Sequence, residues 1–358
     1  MSILDRYILV RFAKALFMVS ISFGFLTVAI NMVEELRDFI DHDVSLKDIF
    51  TYYVYFAGWV LKSFLPIFVF LAGLFTVGSL ARSNELDAIR SSGISLGRFS
   101  APLIVAACVL SVGHFYYNEF LYPPANRTRI ELKEFTIKKR SRSHAVNRYN
   151  LFRQISDSVF YVIDKYNAPD RLAEGVKIYF RDGAKLSKFI SAKTMTYNKG
   201  VWTLKNATLR TFSETEEEYQ AMDTLQAPYI RDAPSELERR LGKPEDMSYS
   251  ELEDYIALMK RSGGEYLAEL VDLKFKLSFP VASIIVMLLC IPLAVNQKKG
   301  GVAFSLSMAS GFILIYLVSF KIVKALGAHG SIDPDIAAWS VNGSFALIAL
   351  ALITIMRK

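Results

Sequence analysis

The chain has 358 residues, of which 52% are hydrophobic and 22% are charged, and its formal net charge is +7. The apolar residues occur in long runs and the mean hydropathy is +0.27, a combination that excludes an ordinary soluble globular protein and indicates a membrane protein. The two cysteines, Cys108 and Cys290, lie inside apolar runs, so the polar part of the chain has no disulfide to stabilise it.

Six apolar runs have the length of about 20 residues that crosses the hydrocarbon core of a bilayer. The first is too long for the core of a signal peptide and no small-residue cleavage site follows it, so we expect it to remain as an anchor. Six spans place both termini on the same side of the membrane. The predicted spans are residues 12–33, 58–80, 99–121, 277–295, 302–323 and 336–356.

Lys and Arg near the span ends are concentrated on one side of the predicted membrane. The short loops of the other side carry mainly Asp and Glu, so the positive-inside rule places both termini in the cytoplasm. A basic stretch at 127–142 would give the opposite orientation, but it begins a long segment, and long segments largely escape the rule. The cations of the first side are Arg6, Arg11, Lys14, Arg82, Arg90, Arg98, Lys298, Lys299, Arg357 and Lys358.

A short polar connector joins the second and third spans on the predicted cytoplasmic side. Ser83 or Asn84 can cap a helix there. Glu85 follows in the first turn, where the helix dipole favours a carboxylate, and Gly93 is a natural stop. The pattern predicts a helix of two to three turns over residues 83–93. It is either an interfacial connector or a coupling helix that carries force from a cytoplasmic motor.

The long polar segment after the third span is predicted to be a folded domain outside the bilayer. It begins with a basic helical lead through Lys139 and continues as short strands separated by turns, a pattern that predicts an all-β sandwich or an open roll. The turns are Arg181-Asp182-Gly183 and Asn198-Lys199-Gly200. The predicted strands are residues 159–163, 176–180, 186–197 and 201–212.

A helical pattern returns before the fourth span. Ser248 and Glu251 have the spacing of a capping box, and Gly263-Gly264 ends the pattern. We therefore predict three domains along the chain. They are residues 1–121 with spans one to three, residues 122–264 as the outer domain with flanking helices, and residues 265–358 with spans four to six.

The sequence contains no motif for catalysis, phosphate binding or metal binding. It has no G-x-x-x-x-G-K-[ST] phosphate loop and no G-x-S-x-G nucleophile turn. The histidines are widely spaced and have no acidic or thiol partners at metal-ligand intervals; they are His42, His114, His144 and His329. The chain is therefore predicted to be non-enzymatic, with no catalytic residue, cofactor or metal.

Four ionisable residues lie toward the outer ends of the predicted spans: Lys62, Glu119, Lys321 and Lys324. Lys321 and Lys324 are three residues apart and so share one helical face. Two interpretations are open for the lysines. They either extend to the interface as anchors, or they line a cavity for an anionic lipid head, in which Glu119 can pair with one of them when no lipid is bound.

Several stretches resemble the LptF/LptG family of lipopolysaccharide export permeases. They are the start Leu4-Asp5-Arg6-Tyr7-Ile8, the connector at 84–95, the 248–264 helix leading into Phe279-Pro280, and the end Met356-Arg357-Lys358. The connector is the most specific of these motifs, while the start and the end are more similar to LptG than to LptF.

The resemblance implies an α-helical membrane protein with six helices (3+3) and a periplasmic open β-jelly-roll between helices 3 and 4. It implies the permease subunit of an inner-membrane ABC transporter that extracts lipopolysaccharide and passes it to a periplasmic bridge. The implied partners are an LptB-like ATPase dimer, an LptF-like (or LptG-like) second permease, and LptC-like and LptA-like bridge proteins. A mechanotransmission or lipoprotein-release permease is the alternative, although those usually have four spans, and a motor-free membrane scaffold is another.

The resemblance also implies roles for individual residues. The glutamate through which the family's connector docks on the ATPase corresponds to Glu85, and its neighbours complete a coupling set of Glu85, Leu86, Ile89, Arg90 and Gly93. Charged residues in the family's cavity bind the phosphorylated lipid head. This role is the candidate one for Lys62, Lys321 and Lys324, with Glu119 beside them.

Overall fold

The structure is a computed structural model, which describes most of the chain. The described residues are 2–139, 147–156, 158–167, 170–183, 185–198, 200–212, 217–230, 232–234, 237, 244–261, 266–295 and 301–357. The predicted Gly263-Gly264 helix end lies outside them, as do Lys298, Lys299 and Lys358.

The chain divides into two compact units. A helical unit contains Met1–Leu132 and Lys243–Lys358, and a sheet unit contains Lys133–Gly242. The predicted domain limits at 122 and 264 mark where the chain leaves a bilayer. A division by contacts within the chain does not test such limits, so they remain a prediction.

The helical unit is built mainly from long helices. A π-helical turn at Tyr117–Leu121 joins α4 to α5, another at Leu132–Ile137 follows α5, and a 3₁₀ turn at Pro244–Asp246 precedes α6. The α-helices are α1 (Ile3–Asp41), α2 (Leu46–Arg82), α3 (Glu85–Ser91), α4 (Leu96–Tyr116), α5 (Tyr122–Glu131), α6 (Tyr249–Arg261), α7 (Leu267–Val295), α8 (Gly301–Ala328) and α9 (Pro334–Arg357).

Six of the described helices are long and apolar enough to cross a membrane, three before the sheet and three after it. Each of them overlaps one of the six predicted spans. α2 and α7 form the centre, since 72% and 67% of their most apolar windows are buried within the chain. No residue of the corresponding window of α1 is buried, so bilayer or another protein must cover α1.

α2 and α7 approach each other closely at Gly73. A Cβ atom at this position would lie 2.9 Å from the Cys290 sulfur and 3.1 Å from the Met287 sulfur. Because no side chain fits in that space, glycine allows the two central helices to pack backbone to side chain. The hydrophobic core of the helical unit extends from this contact to Ile8 and Leu86 at the N-terminal end of α1 and α3.

The sheet unit contains one six-stranded antiparallel sheet in which each strand pairs with the next along the chain. Gly183 and Gly200 have φ values of 59° and 88°, so both predicted turns contain the left-handed glycine that they require. The strands are β1 (Asn147–Ser156), β2 (Val159–Asn167), β3 (Leu172–Asp182), β4 (Lys185–Asn198), β5 (Val201–Phe212) and β6 (Glu217–Ala227).

The core of the sheet unit lies on one face, where alternate residues such as Tyr161, Ile178 and Trp202 are fully buried. This alternation is the pattern that predicts β2 to β5. β6 lacks this alternation, because it is an edge strand whose residues are almost all exposed. The sequence prediction therefore does not include β6, and it does not include β1 either. The strand order is that of a meander, and the finer prediction of a jelly-roll remains a prediction.

Candidate functional site

The predicted connector helix is present as α3. It begins at Glu85, and Gly93, with φ 87°, donates its N–H to the Arg90 carbonyl at 3.0 Å and ends it as predicted. Asn84, one of the two predicted caps, occupies the N-cap position in a left-handed conformation with φ 59°, but its side chain makes no capping hydrogen bond. The Ser83 hydroxyl donates to the Glu85 side chain at 2.9 Å.

Glu85 is held from two sides by three donors. The Tyr7 hydroxyl donates to one carboxylate oxygen at 2.5 Å, and the Arg11 guanidinium and the Ser83 hydroxyl donate to the other at 3.1 Å and 2.9 Å. These bonds, led by that of Tyr7, lower the pKa of Glu85 below its ordinary value. Tyr7 and Arg11 were not predicted as partners of Glu85, because they lie more than seventy residues away in the chain.

A second ionic contact lies beside the first. The two terminal guanidinium nitrogens of Arg98, Nη1 and Nη2, donate to the Asp5 carboxylate at 2.8 Å and 3.0 Å. Asp5 also forms a capping box with Ser2 at the start of α1. The first turns of α1 are therefore bonded to α3 through Glu85 and to α4 through Asp5. We call residues 2–12 and 82–99 the α3 cluster.

The predicted coupling residues divide between the interior and the surface. Leu86 is 1% exposed and belongs to the core of the helical unit, against which Ile89 also packs. Arg90 and Gly93 are exposed. Leu86 and Ile89 thus anchor α3 on the long helices, and the opposite face of α3 is open to a partner.

Lys62 lies in a second polar group of the helical unit. Its ammonium is 4.0 Å from the centroid of the Tyr122 ring, a cation–π contact. The Tyr122 hydroxyl donates to Asp246 at 3.3 Å, and the Lys62 carbonyl lies 3.0 Å from His114 Nε2. We call Lys62 with residues 114–126, 244–251 and 272–276 the α6 cluster.

Glu119 stabilises the start of α6 in this structure, and its pairing with a lysine stays a prediction. Its carboxylate accepts the backbone N–H groups of Tyr249 and Ser250 at 2.5 Å and 3.3 Å. The predicted capping box is confirmed, since Ser248 and Glu251 exchange hydrogen bonds of 3.0 Å and 3.1 Å. A carboxylate at a helix N-terminus is favoured by the helix dipole.

The remaining predicted lysines lie on α8. Lys324 forms an ion pair of 2.6 Å with Asp272 of α7, and Lys321 is exposed. A further lysine, Lys276, donates to the Met247 carbonyl at 2.6 Å. It was not predicted as a site residue, because it immediately precedes the predicted fourth span. Within the described ranges, no three His, Cys, Asp or Glu side chains lie close enough to hold a metal ion.

Long apolar helices around a buried central pair, with an antiparallel sheet inserted between them, define a multi-pass helical membrane protein with a β domain. The family model described as lipopolysaccharide export system permease LptF/LptG matches residues 6–355. The chain therefore belongs to this family of lipopolysaccharide transport components, and the resemblance seen in its motifs is confirmed. No match was found among curated proteins.

Proposed function

We propose that this chain is one permease half of an ABC transporter that extracts lipopolysaccharide from the inner membrane. The family match over residues 6–355 carries this proposal. In this transporter the chain is the LptG-like, non-catalytic subunit. The other permease subunit is LptF-like, and an LptB-like dimer hydrolyses ATP. LptC-like and LptA-like proteins form the bridge that receives the lipid.

The proposed topology has both termini in the cytoplasm, three spans on each side of the inserted domain, and that domain in the periplasm as an open β-roll. The excess of Lys and Arg near one set of span ends supports it. Reporter fusions after Lys139 and Lys199 should give a periplasmic signal and one at Gly300 a cytoplasmic signal. A cytoplasmic signal at Lys199 would contradict both the orientation and export.

The proposed ATPase contact is the exposed face of α3 together with Glu85. The buried Leu86 supports this placement because it holds α3 rigidly on the long helices. Glu85→Lys reverses a charge that three donors now hold and should reduce co-purification of the ATPase while the permease still inserts. Glu253→Lys, the same change at an exposed position of α6, is the matched control. Normal ATPase assembly with Glu85→Lys would exclude this docking site.

The proposed lipid contacts are Lys62, Lys321 and Lys324. An ammonium in a partly dehydrated cavity attracts a phosphate more strongly than at an open surface, because the effective dielectric constant is about 20 and not about 80. Photo-crosslinkers at positions 62 and 321 should form adducts with lipopolysaccharide, and Lys321→Glu should reduce export. If neither effect is seen, these lysines are interfacial anchors.

A further inference from the structure

One helical face at the start of α1 meets α3 through charged and aromatic side chains. Tyr7 and Arg11 are four residues apart, so they project from the same face of α1. The Arg11 guanidinium lies 4.6 Å from the centroid of the Tyr7 ring, which aligns both donors toward the Glu85 carboxylate. The side chains of Arg11 and Glu85 are 35% and 34% exposed, so a docking protein can reach this contact.

Beyond its first turns α1 packs on α2 through aromatic contacts, of Phe23 with Phe64 and Phe68 and of Phe39 with Tyr53. Its most apolar window has no buried residue, whereas Ile8 and Phe12, beside Tyr7 and Arg11, are almost fully buried. The most apolar part of α1 is therefore uncovered, while its N-terminal turns are buried and bonded to α3. A displacement of α3 acts directly on these N-terminal turns.

We propose that Tyr7 and Arg11 are positioning residues for coupling, which bond α1 to Glu85 so that movement of α3 also moves α1. This inference rests on the proposed function, in which an ATPase moves α3. It adds that the glutamate proposed to contact the motor also binds α1 from within the same chain. Asp5 and Arg98 fix the neighbouring start of α4 to the same turns of α1.

Binding of the ATPase and transmission of its movement are separable steps at this contact. If Glu85 serves only to bind the ATPase, removing Tyr7 or Arg11 leaves lipid transport per ATP unchanged. If Glu85 also holds α1, removing either donor preserves ATPase binding and hydrolysis but reduces the lipid transported per ATP.

The test uses the complete transporter in proteoliposomes and measures ATPase co-purification, ATP hydrolysis and lipopolysaccharide released per ATP. We expect Arg11→Gln and Tyr7→Phe each to reduce lipid per ATP by about fivefold, a typical coupling factor, with hydrolysis retained. Arg11→Lys, which keeps the charge, should recover part of the loss. Lys14→Gln removes an exposed cation one turn further along α1 and is the matched control.

A double-variant comparison identifies the route of the effect. In a Glu85→Gln background, Arg11→Gln should add no further loss, because the charged partner through which it acts is gone. Unchanged lipid per ATP in both Arg11→Gln and Tyr7→Phe overturns this inference and leaves the proposed function standing. Loss of ATPase co-purification in Arg11→Gln also overturns it, because Arg11 is then part of the docking surface. Failure of the proposed function is recognised separately, if the natural chain neither binds an ATPase nor releases lipopolysaccharide in this assay. Normal ATPase assembly with Glu85→Lys excludes only the proposed docking site.

Discussion

The α3 cluster and the α6 cluster both bring charged groups of distant segments together, but they do so in different ways. In the α3 cluster charged side chains bond to other side chains, Glu85 to Arg11 and Asp5 to Arg98. In the α6 cluster Asp246 also accepts bonds from the side chains of Tyr122 and Asn126. The charged side chains next to the start of α6 nevertheless bind the backbone, since Glu119 accepts backbone N–H groups and Lys276 donates to a backbone carbonyl.

This difference determines how each cluster responds to substitution. Two charged side chains that bond to each other can be swapped by substitution and still attract each other. A backbone N–H or carbonyl group cannot be changed by substitution, so a side chain that binds it must keep the sign of its charge. The α3 cluster is therefore suited to contacts that form and break with a partner, and the α6 cluster to holding α6 in place.

The largest effect is expected from charge reversal in the α6 cluster. Glu119→Lys removes the acceptor of two backbone N–H groups and places a cation at the positive end of the α6 dipole. We expect a loss of about 2 kcal/mol in the stability of the helical unit, measured as a lower unfolding temperature in detergent. Glu253→Lys, on the exposed side of α6, should change that temperature little.

A compensating charge should not rescue Glu119→Lys. Adding Lys276→Glu supplies an acid nearby, but it also removes the donor to the Met247 carbonyl. The double variant should therefore unfold at a temperature no higher than Glu119→Lys alone. Recovery in the double variant would show that the α6 cluster is an exchangeable ion pair and would remove the contrast between the two clusters.

The next effect concerns the Asp5–Arg98 pair in the α3 cluster. Asp5→Arg and Arg98→Asp each place like charges together and should each lower the unfolding temperature. The double variant that combines Asp5→Arg with Arg98→Asp should regain most of the unfolding temperature that Arg98→Asp alone loses. It should regain only part of what Asp5→Arg alone loses, since Asp5 also caps α1 with Ser2. Complete absence of recovery would contradict the exchangeable pairing.

Local patterns account for what the sequence predicted correctly. The capping box of Ser248 and Glu251 spans three residues, and the spans follow from runs of apolar residues. The helices extend past those runs because their ends carry polar residues that are equally helical but not apolar, as in α1. The length and apolar content of a run thus predict a span but not the two ends of its helix.

Contacts between distant residues account for what was not predicted. Tyr7 and Glu85 are separated by 78 residues, and Glu119 and Tyr249 by 130. Spacing within one sequence carries no signal for such pairs. Asn84 is a predicted cap and takes the N-cap position, but the lack of a side-chain hydrogen bond there was not predicted. The left-handed backbone of Asn84 is not visible in the residue type, even though Asn adopts that conformation more readily than most residues.

A smaller effect is expected at the end of α3. Gly93 has a φ of 87° and open space where a Cβ atom would lie, so Gly93→Ala introduces backbone strain without a clash. We expect a loss of about 1 kcal/mol. Gly97 also has space but lies in the helical backbone of α4, so Gly97→Ala should be neutral or stabilising. Equal unfolding temperatures for the two variants would mean that the turn at Gly93 tolerates alanine.

The smallest effect is the pH dependence of the Tyr7–Glu85 bond. Because the pKa of Glu85 is lowered, chiefly by Tyr7, its stabilisation is complete above the ordinary carboxyl pKa of 4.5 and is lost as pH falls through the lowered value. Tyr7→Phe raises the pKa of Glu85 back toward the ordinary value, so the variant loses this stabilisation at a higher pH than the natural chain. The difference in unfolding temperature between the two should be constant from neutral pH down to about pH 6. It should narrow in more acidic solution, once Glu85 is protonated in both. A difference that stays the same at every pH would show that Tyr7 supports α3 by packing alone, and the side-chain pairing that distinguishes the α3 cluster from the α6 cluster would then not include the Tyr7–Glu85 bond.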